Sequence, residues 1–92
     1  MINRHSEYTE LEDALAKAEG TLAECTHYRK IVLAEQTMVA IKNGSKSVAA
    51  ADAIARTTKE YKTIVDALAQ ATENKWALFF RSRRLGRQLG VI

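Results

Sequence analysis

The sequence predicts an all-α protein: a long antiparallel helical hairpin with a short intervening helix, assembling into a helical bundle. Three observations predict it. Apolar residues recur at spacings of three and four through both halves of the chain. There is no proline, and the four glycines are scattered. One strong reversal signal, Lys42-Asn43-Gly44-Ser45, lies near the middle. At 92 residues the chain is sized for a single domain. The expected elements are a helix over about 6–42, a turn at 43–46, a short helix over about 47–56 and a helix over about 58–88.

The first helix is expected to start at Ser6 as its N-cap. Glu7, Glu10, Glu12 and Asp13 then crowd the first turns, where the positive end of the helix dipole favours them. Tyr8, Leu11, Leu15, Ala18, Leu22 and Cys25 form the stripe of a packed helix. Asp13 sits four residues before Lys17, a modest supporting pair. Past Cys25 the stripe drifts and broadens through Tyr28, Ile31, Val32, Met38, Val39 and Ile41, as a straight helix drifts against a seven-residue repeat. Gly20 costs about 1 kcal/mol relative to alanine, which points to a close backbone approach or a slight bend.

Asn43-Gly44 supplies the backbone freedom for a helix stop, with Lys42 at the negative end of the dipole. Ser45 or Ser47 caps the next segment. Val48 to Ala55 has high helix propensity and few bulky side chains, so it reads as a short, weakly anchored helix. Thr57-Thr58-Lys59-Glu60 has the spacing of a capping box, with Thr57 and Glu60 exchanging backbone bonds. This puts a joint near Arg56–Thr58, against the alternative of an uninterrupted helix. In the last helix Tyr61, Ile64, Val65, Leu68, Ala71, Thr72, Trp76 and Phe79 follow a helical period. At ~1.5 Å per residue the first and last helices are rods of about 55 and 45 Å.

Hydrophobic residues make up 47% of the chain, but fifteen of them are alanines. The remainder excludes a disordered chain and is thin for an independent monomer. Two rods cannot enclose a core between them. The expected remedy is self-association into a dimer or larger bundle with two-fold symmetry. Its interface is assigned to Tyr8, Leu11, Leu15, Leu22, Tyr61, Val65, Leu68, Trp76, Phe79 and Phe80.

Catalytic signals are weak. Cys25 is the sole cysteine, so there is no intramolecular disulfide framework. Cys25 and His27 fall on different helix faces, and Glu24 with His27 offers only two ligands where a zinc site needs more. No Gly-rich phosphate cradle, nucleophile elbow or HExxH spacing occurs. The expectation is a protein that is not an enzyme, with no catalytic residues, no metal and no cofactor. No stretch approaches the ~20 apolar residues of a membrane span. Met1-Ile2-Asn3-Arg4-His5 lacks a signal peptide's apolar region, so a cytoplasmic location is expected.

The net charge of +3 hides an asymmetry. Residues 1–40 carry four basic and seven acidic side chains, and residues 41–92 carry ten and four. From Lys75 onward there are five basic residues and no acid. Arg81, Arg83, Arg84 and Arg87, with Lys75 assisting, are the candidate contacts to nucleic acid or to an acidic partner. A guanidinium fork matches phosphate oxygens, and Trp76, Phe79 and Phe80 are able to stack on unpaired bases. The competing reading makes the rings bundle core and the arginines a solvated collar or an intersubunit ion-pair set. A basic amphipathic helix resting on an anionic membrane is a further alternative. A second basic group, Lys42, Lys46, Arg56, Lys59 and Lys62, gathers near the reversal, at the opposite end of a hairpin.

On Tyr28-Arg29-Lys30, Ala34-Glu35, Lys46-Ser47-Val48-Ala49-Ala50, Lys59-Glu60-Tyr61 and the arginine-rich end, the chain resembles small α-helical phage-encoded proteins associated with recombination and single-strand annealing. The resemblance covers roughly residues 22–85. It implies an accessory role in phage DNA metabolism inside a bacterial host cell, with single-stranded nucleic acid or a nucleic-acid-processing enzyme as partner. The alternative function is a protein-binding adaptor, or an inhibitor of a host defence or nuclease protein.

Overall fold

Asn3 opens the first helix in the computed structural model, which describes residues 3–92. Its side-chain oxygen accepts from the backbone N–H groups of His5 and Ser6 at 3.0 and 3.3 Å. Helix α1 therefore spans Arg4–Lys42. This corrects the expected cap at Ser6. Asparagine is as good a cap as serine, and starting earlier adds the Glu7 N–H to Asn3 carbonyl bond at 3.0 Å.

The chain then reverses where the sequence predicts. Gly44 takes a positive φ of 98°. Its N–H donates to the Ile41 carbonyl, and the Ser45 N–H donates to the Ala40 carbonyl, both at 3.0 Å. This pair is the Schellman pattern, which satisfies two carbonyls that the helix end leaves free. Ser47 caps α2, Val48–Ala55, by accepting from the Ala50 N–H at 3.1 Å. Ala51 and Ala55 have no exposed surface where α2 packs on α1. Small methyls let the short helix lie close to its neighbour.

The joint is present, but its cap is Thr58 rather than Thr57. The Thr58 hydroxyl accepts from the Tyr61 N–H at 3.2 Å and donates to the Ala55 carbonyl at 2.7 Å. Thr57 instead donates to the Ile54 carbonyl at 2.7 Å. With the cap moved on by one, Tyr61 occupies the position that Glu60 needs to close a capping box. Helix α3, Lys59–Leu89, runs back along α1 to a left-handed Gly90. The described residues contain three helices and no strand, arranged as a rod of 64 × 16 × 15 Å.

The α1 seam is Tyr8, Leu11, Leu15, Ala18, Leu22, Cys25, Arg29, Val32, Gln36 and Ala40, all buried or half-buried. On α3 it is Tyr61, Ile64, Leu68, Ala71, Lys75, Leu78, Ser82, Leu85 and Leu89. Both follow spacings of three and four, the period that keeps two long helices in contact. The expected α3 stripe continued through Trp76. The seam passes through Lys75 instead, then through Leu78, Ser82, Leu85 and Leu89 as their shared helical side predicts, and Trp76 stands 44% exposed. Polar residues thus occupy seam positions on both helices. Arg29 donates to the Tyr61 hydroxyl at 3.4 Å, joined there by Arg56 at 3.3 Å.

Two mid-helix glycines differ sharply. A Cβ at Gly86 would lie 3.0 Å from the Tyr8 ring and 2.9 Å from Ile92, so the close approach is real there. Nothing lies within 4 Å of a Cβ at Gly20, and the reading of Gly20 as a packing contact within the hairpin does not hold. Gly20→Ala is accordingly expected to stabilise the fold by about 1 kcal/mol. That gain raises the midpoint of thermal unfolding by about 4–8 °C for a domain of this size. A lower midpoint would show that Gly20 meets something outside its own hairpin.

Candidate nucleic-acid interface

The rotation of α3 set by its seam decides what faces outward at its C-terminal end. With Ser82, Leu85 and Gly86 buried, Trp76, Phe80, Arg83, Arg84 and Arg87 fall on the opposite side. Phe80 is 59% exposed, and the three rings form one cluster. Trp76 stacks on Phe80 at a centroid distance of 5.9 Å, and Phe79 meets both edge-on at 5.4 and 5.5 Å. An open groove of about 430 Å³ runs over this surface, lined by Phe79, Phe80, Arg83, Arg84, Arg87 and Gln88. Its chemistry is two rings beside three guanidinium groups, with no carboxylate in the lining.

Cations also hold the rings in place. The Arg83 guanidinium lies 5.5 Å from the Phe79 centroid, and the Lys75 ammonium 4.7 Å from that of Trp76. Each such contact is worth about 0.5–1 kcal/mol at an exposed site. The expected residues are therefore not all brought together. Arg83, Arg84 and Arg87 share the groove, and Lys75, half-buried, lies outside its lining with its ammonium over the Trp76 indole. Arg81 lies to one side, in a second depression with Arg4, Glu7, Leu11, Arg84 and Leu85.

Among the described residues the one ion pair joins Arg56 to Asp52 at 2.9 Å. Asp52, as hydrogen-bond partner and as charge, raises the already high pKa of Arg56. Arg81, Arg83, Arg84 and Arg87 have no carboxylate within ion-pair distance among the described residues. Acidic side chains of α1 border the flanking depressions, Glu7 beside Arg81 and Glu12 beside Arg83. Glu12 acts instead on Tyr8. As hydrogen-bond partner and as negative charge it raises the phenol above its ordinary pKa, while Ser82 and Arg83 pull the other way.

Arg4 is the residue that the sequence reading missed. Its guanidinium donates to the Gln88 side-chain oxygen, tying the start of α1 to the end of α3. The signal was antiparallel arithmetic: a reversal at residues 43–44 sets residue 4 opposite residues in the eighties.

The interface set divides as well. Leu11 and Tyr61 are buried, and Tyr8, Leu15, Leu22 and Leu68 half-buried, in the seam of a single chain. Val65, Trp76 and Phe80 are exposed, and Phe79 is half-buried. The turn-end cations lie at the other extremity of the rod, with Arg56 engaged by Asp52 and Tyr61. No helix among the described residues is long and apolar enough to cross a membrane, and no three His, Cys, Asp or Glu side chains gather at metal-binding range. Comparison with known proteins finds no matching family model, no matching characterised protein and no matching solved structure.

Proposed function

We propose that this is a non-enzymatic, self-associating helical accessory protein that binds single-stranded nucleic acid through the outward face of α3. One observation carries the reading: three guanidinium groups without carboxylate partners border a groove floored by half-buried Phe79 and exposed Phe80. A single strand presents both features such a surface recognises, phosphates for the arginine forks and unpaired bases for the rings. A duplex hides its base faces. The cations also sit in two groups at opposite ends of a 64 Å rod, which suits a flexible strand better than a continuous duplex track. An accessory role in phage DNA metabolism extends this reading through the resemblance of the sequence.

The alternative occupant of the groove is an acidic protein, as expected for an adaptor or an inhibitor of a host nuclease. Exposed Trp76 and Phe80 are suited to insertion in a partner's groove. Fluorescence anisotropy with a labelled single-stranded oligonucleotide distinguishes the two. Binding is expected at low salt, weakening steeply as salt rises, and weaker for the matching duplex. No binding at low salt rejects the nucleic-acid reading. A protein partner retained on the immobilised chain after nuclease digestion, and released by mutation of the same arginines, favours the adaptor.

A further inference from the structure

The side chains lining the groove on α3 give hydrogen bonds and accept almost none. Arg83, Arg84 and Arg87 line it, and a guanidinium only donates. Gln88 is the remaining polar side chain of the lining. A carboxamide ordinarily offers both an oxygen and an amide NH2, but here the Arg4 guanidinium donates to the Gln88 Oε1. Arg4 has no acceptor, so the atom facing it is necessarily the oxygen, and Nε2 is left as a pure donor. The backbone carbonyls beside these side chains are engaged in the helix, and that of Arg87 takes the Gly90 N–H at 3.2 Å. The carboxylates of Glu7 and Glu12 lie in the flanking depressions, outside the groove.

A surface of donors ranks bases by what stands on their edges. Guanine and thymine carry a keto oxygen, guanine with N7 beside it, and adenine and cytosine carry an amino group in the same place. Keto bases meet the groove as acceptors. Amino bases set donor against donor. The placement of the side chains suits such a reading. Phe80, Arg84 and Gln88 follow at spacings of four along one side of α3, and neighbours so spaced lie about 5–6 Å apart. A base stacked on the exposed Phe80 ring therefore has a guanidinium near its edge, with Arg87 and Gln88 following for the next nucleotide. Phosphates draw on the same donors without regard to sequence, so the base edges decide only the preference.

We infer that the groove prefers keto-rich single strands, of guanine and thymine, over amino-rich strands of adenine and cytosine, with Arg4 the positioning residue that keeps Gln88 a donor. This rests on the strand binding of the proposed function and deepens it to a class of sequence. Water reaches an open groove and satisfies part of what an amino base lacks there. The preference is therefore expected at about five-fold, the low end for a bidentate base contact.

Anisotropy titrations with two labelled strands of equal length, measured separately, test the proposal. One alternates guanine with thymine, the other adenine with cytosine. Both alternate purine with pyrimidine, which matches the stacking that sets the preferences of unspecific strand binders. A thymine-only strand against a cytosine-only strand repeats the comparison without guanine. The keto strand is expected to bind more tightly in both pairs. Arg4→Met is expected to bring the ratio of affinities toward one, because the freed Gln88 oxygen then accepts from amino bases. Arg4→Lys, still a donor, is expected to keep the ratio. A merely structural or charge effect of Arg4 would weaken both strands alike and leave the ratio unmoved. If neither strand binds the native chain, the proposed function fails and this inference with it. If both bind equally, or the amino strand binds more tightly, strand binding stands and the preference falls. An Arg4→Met chain with the native ratio overturns the role given to Arg4.

Discussion

Replacing Arg81, Arg83, Arg84 and Arg87 together by alanine is expected to abolish single-strand binding while leaving the fold intact. Each phosphate neutralised on a single strand contributes about 0.7 to the slope of log affinity against log salt. Four contacts therefore give a slope near −3, and the native chain loses about fifty-fold in affinity between roughly 50 and 200 mM salt. The variant loses that dependence along with the affinity. The stability cost is confined to the Arg83 contact with the Phe79 ring, about 0.5–1 kcal/mol. Arginine and alanine have similar helix propensity, and none of the four has an ion pair to lose among the described residues. Anisotropy titrations at several salt concentrations read both quantities. Trp76→Ala and Phe80→Ala are expected to act differently, each weakening binding by about 1–3 kcal/mol per stacked base without flattening the salt slope. A quadruple variant that binds like the native chain would remove α3 from the interface altogether.

Leu85→Ala is expected to destabilise the hairpin by about 2–4 kcal/mol, and Phe80→Ala by less than about 0.5 kcal/mol. The smaller side chain matters more because of where each stands. Leu85 is 7% exposed in the seam, beside Leu11. Phe80 is on the outward side. The hairpin has little reserve to absorb the loss, since among the described residues the only side chains with no exposed surface are the methyls of Ala51 and Ala55. Urea titration at low protein concentration, followed by circular dichroism, measures the two midpoints. Equal shifts would mean that another surface covers Phe80, as the bundle-core reading of the rings requires.

How far the sequence could be read followed the physics of each signal. The reversal was legible because Asn43-Gly44 is a local signal and the Schellman bonds that complete it are local too. The cap of α2 was legible for the same reason as Ser45 or Ser47, and the structure uses Ser47. Thr57 and Thr58 were not separable, because adjacent threonines offer the same hydroxyl and only the backbone angle decides between them. The α1 seam was visible through Cys25, since its members there are apolar. The α3 seam was misread at Trp76 because its true member there, Lys75, is polar and carries no hydrophobic signal, whereas Leu78, Ser82, Leu85 and Leu89 were legible as one helical side. That shift of one residue also governs the site. It turns the indole and Phe80 outward and gathers Arg83, Arg84 and Arg87 beside them. Arg4 and Gln88 are separated by 84 residues, and no local pattern predicts such a partner.

The hydrogen bond from Arg29 to Tyr61 acts as a vernier on the whole rod. A seam made only of aliphatic teeth would accept a slip by one heptad, about 10.5 Å, with modest loss. Here such a slip would leave the Arg29 guanidinium facing hydrocarbon and the Tyr61 phenol with Arg56 as its donor, an error that polar seam positions penalise. The hairpin is thereby locked against creep along its length, and the distance between its two cationic ends is fixed.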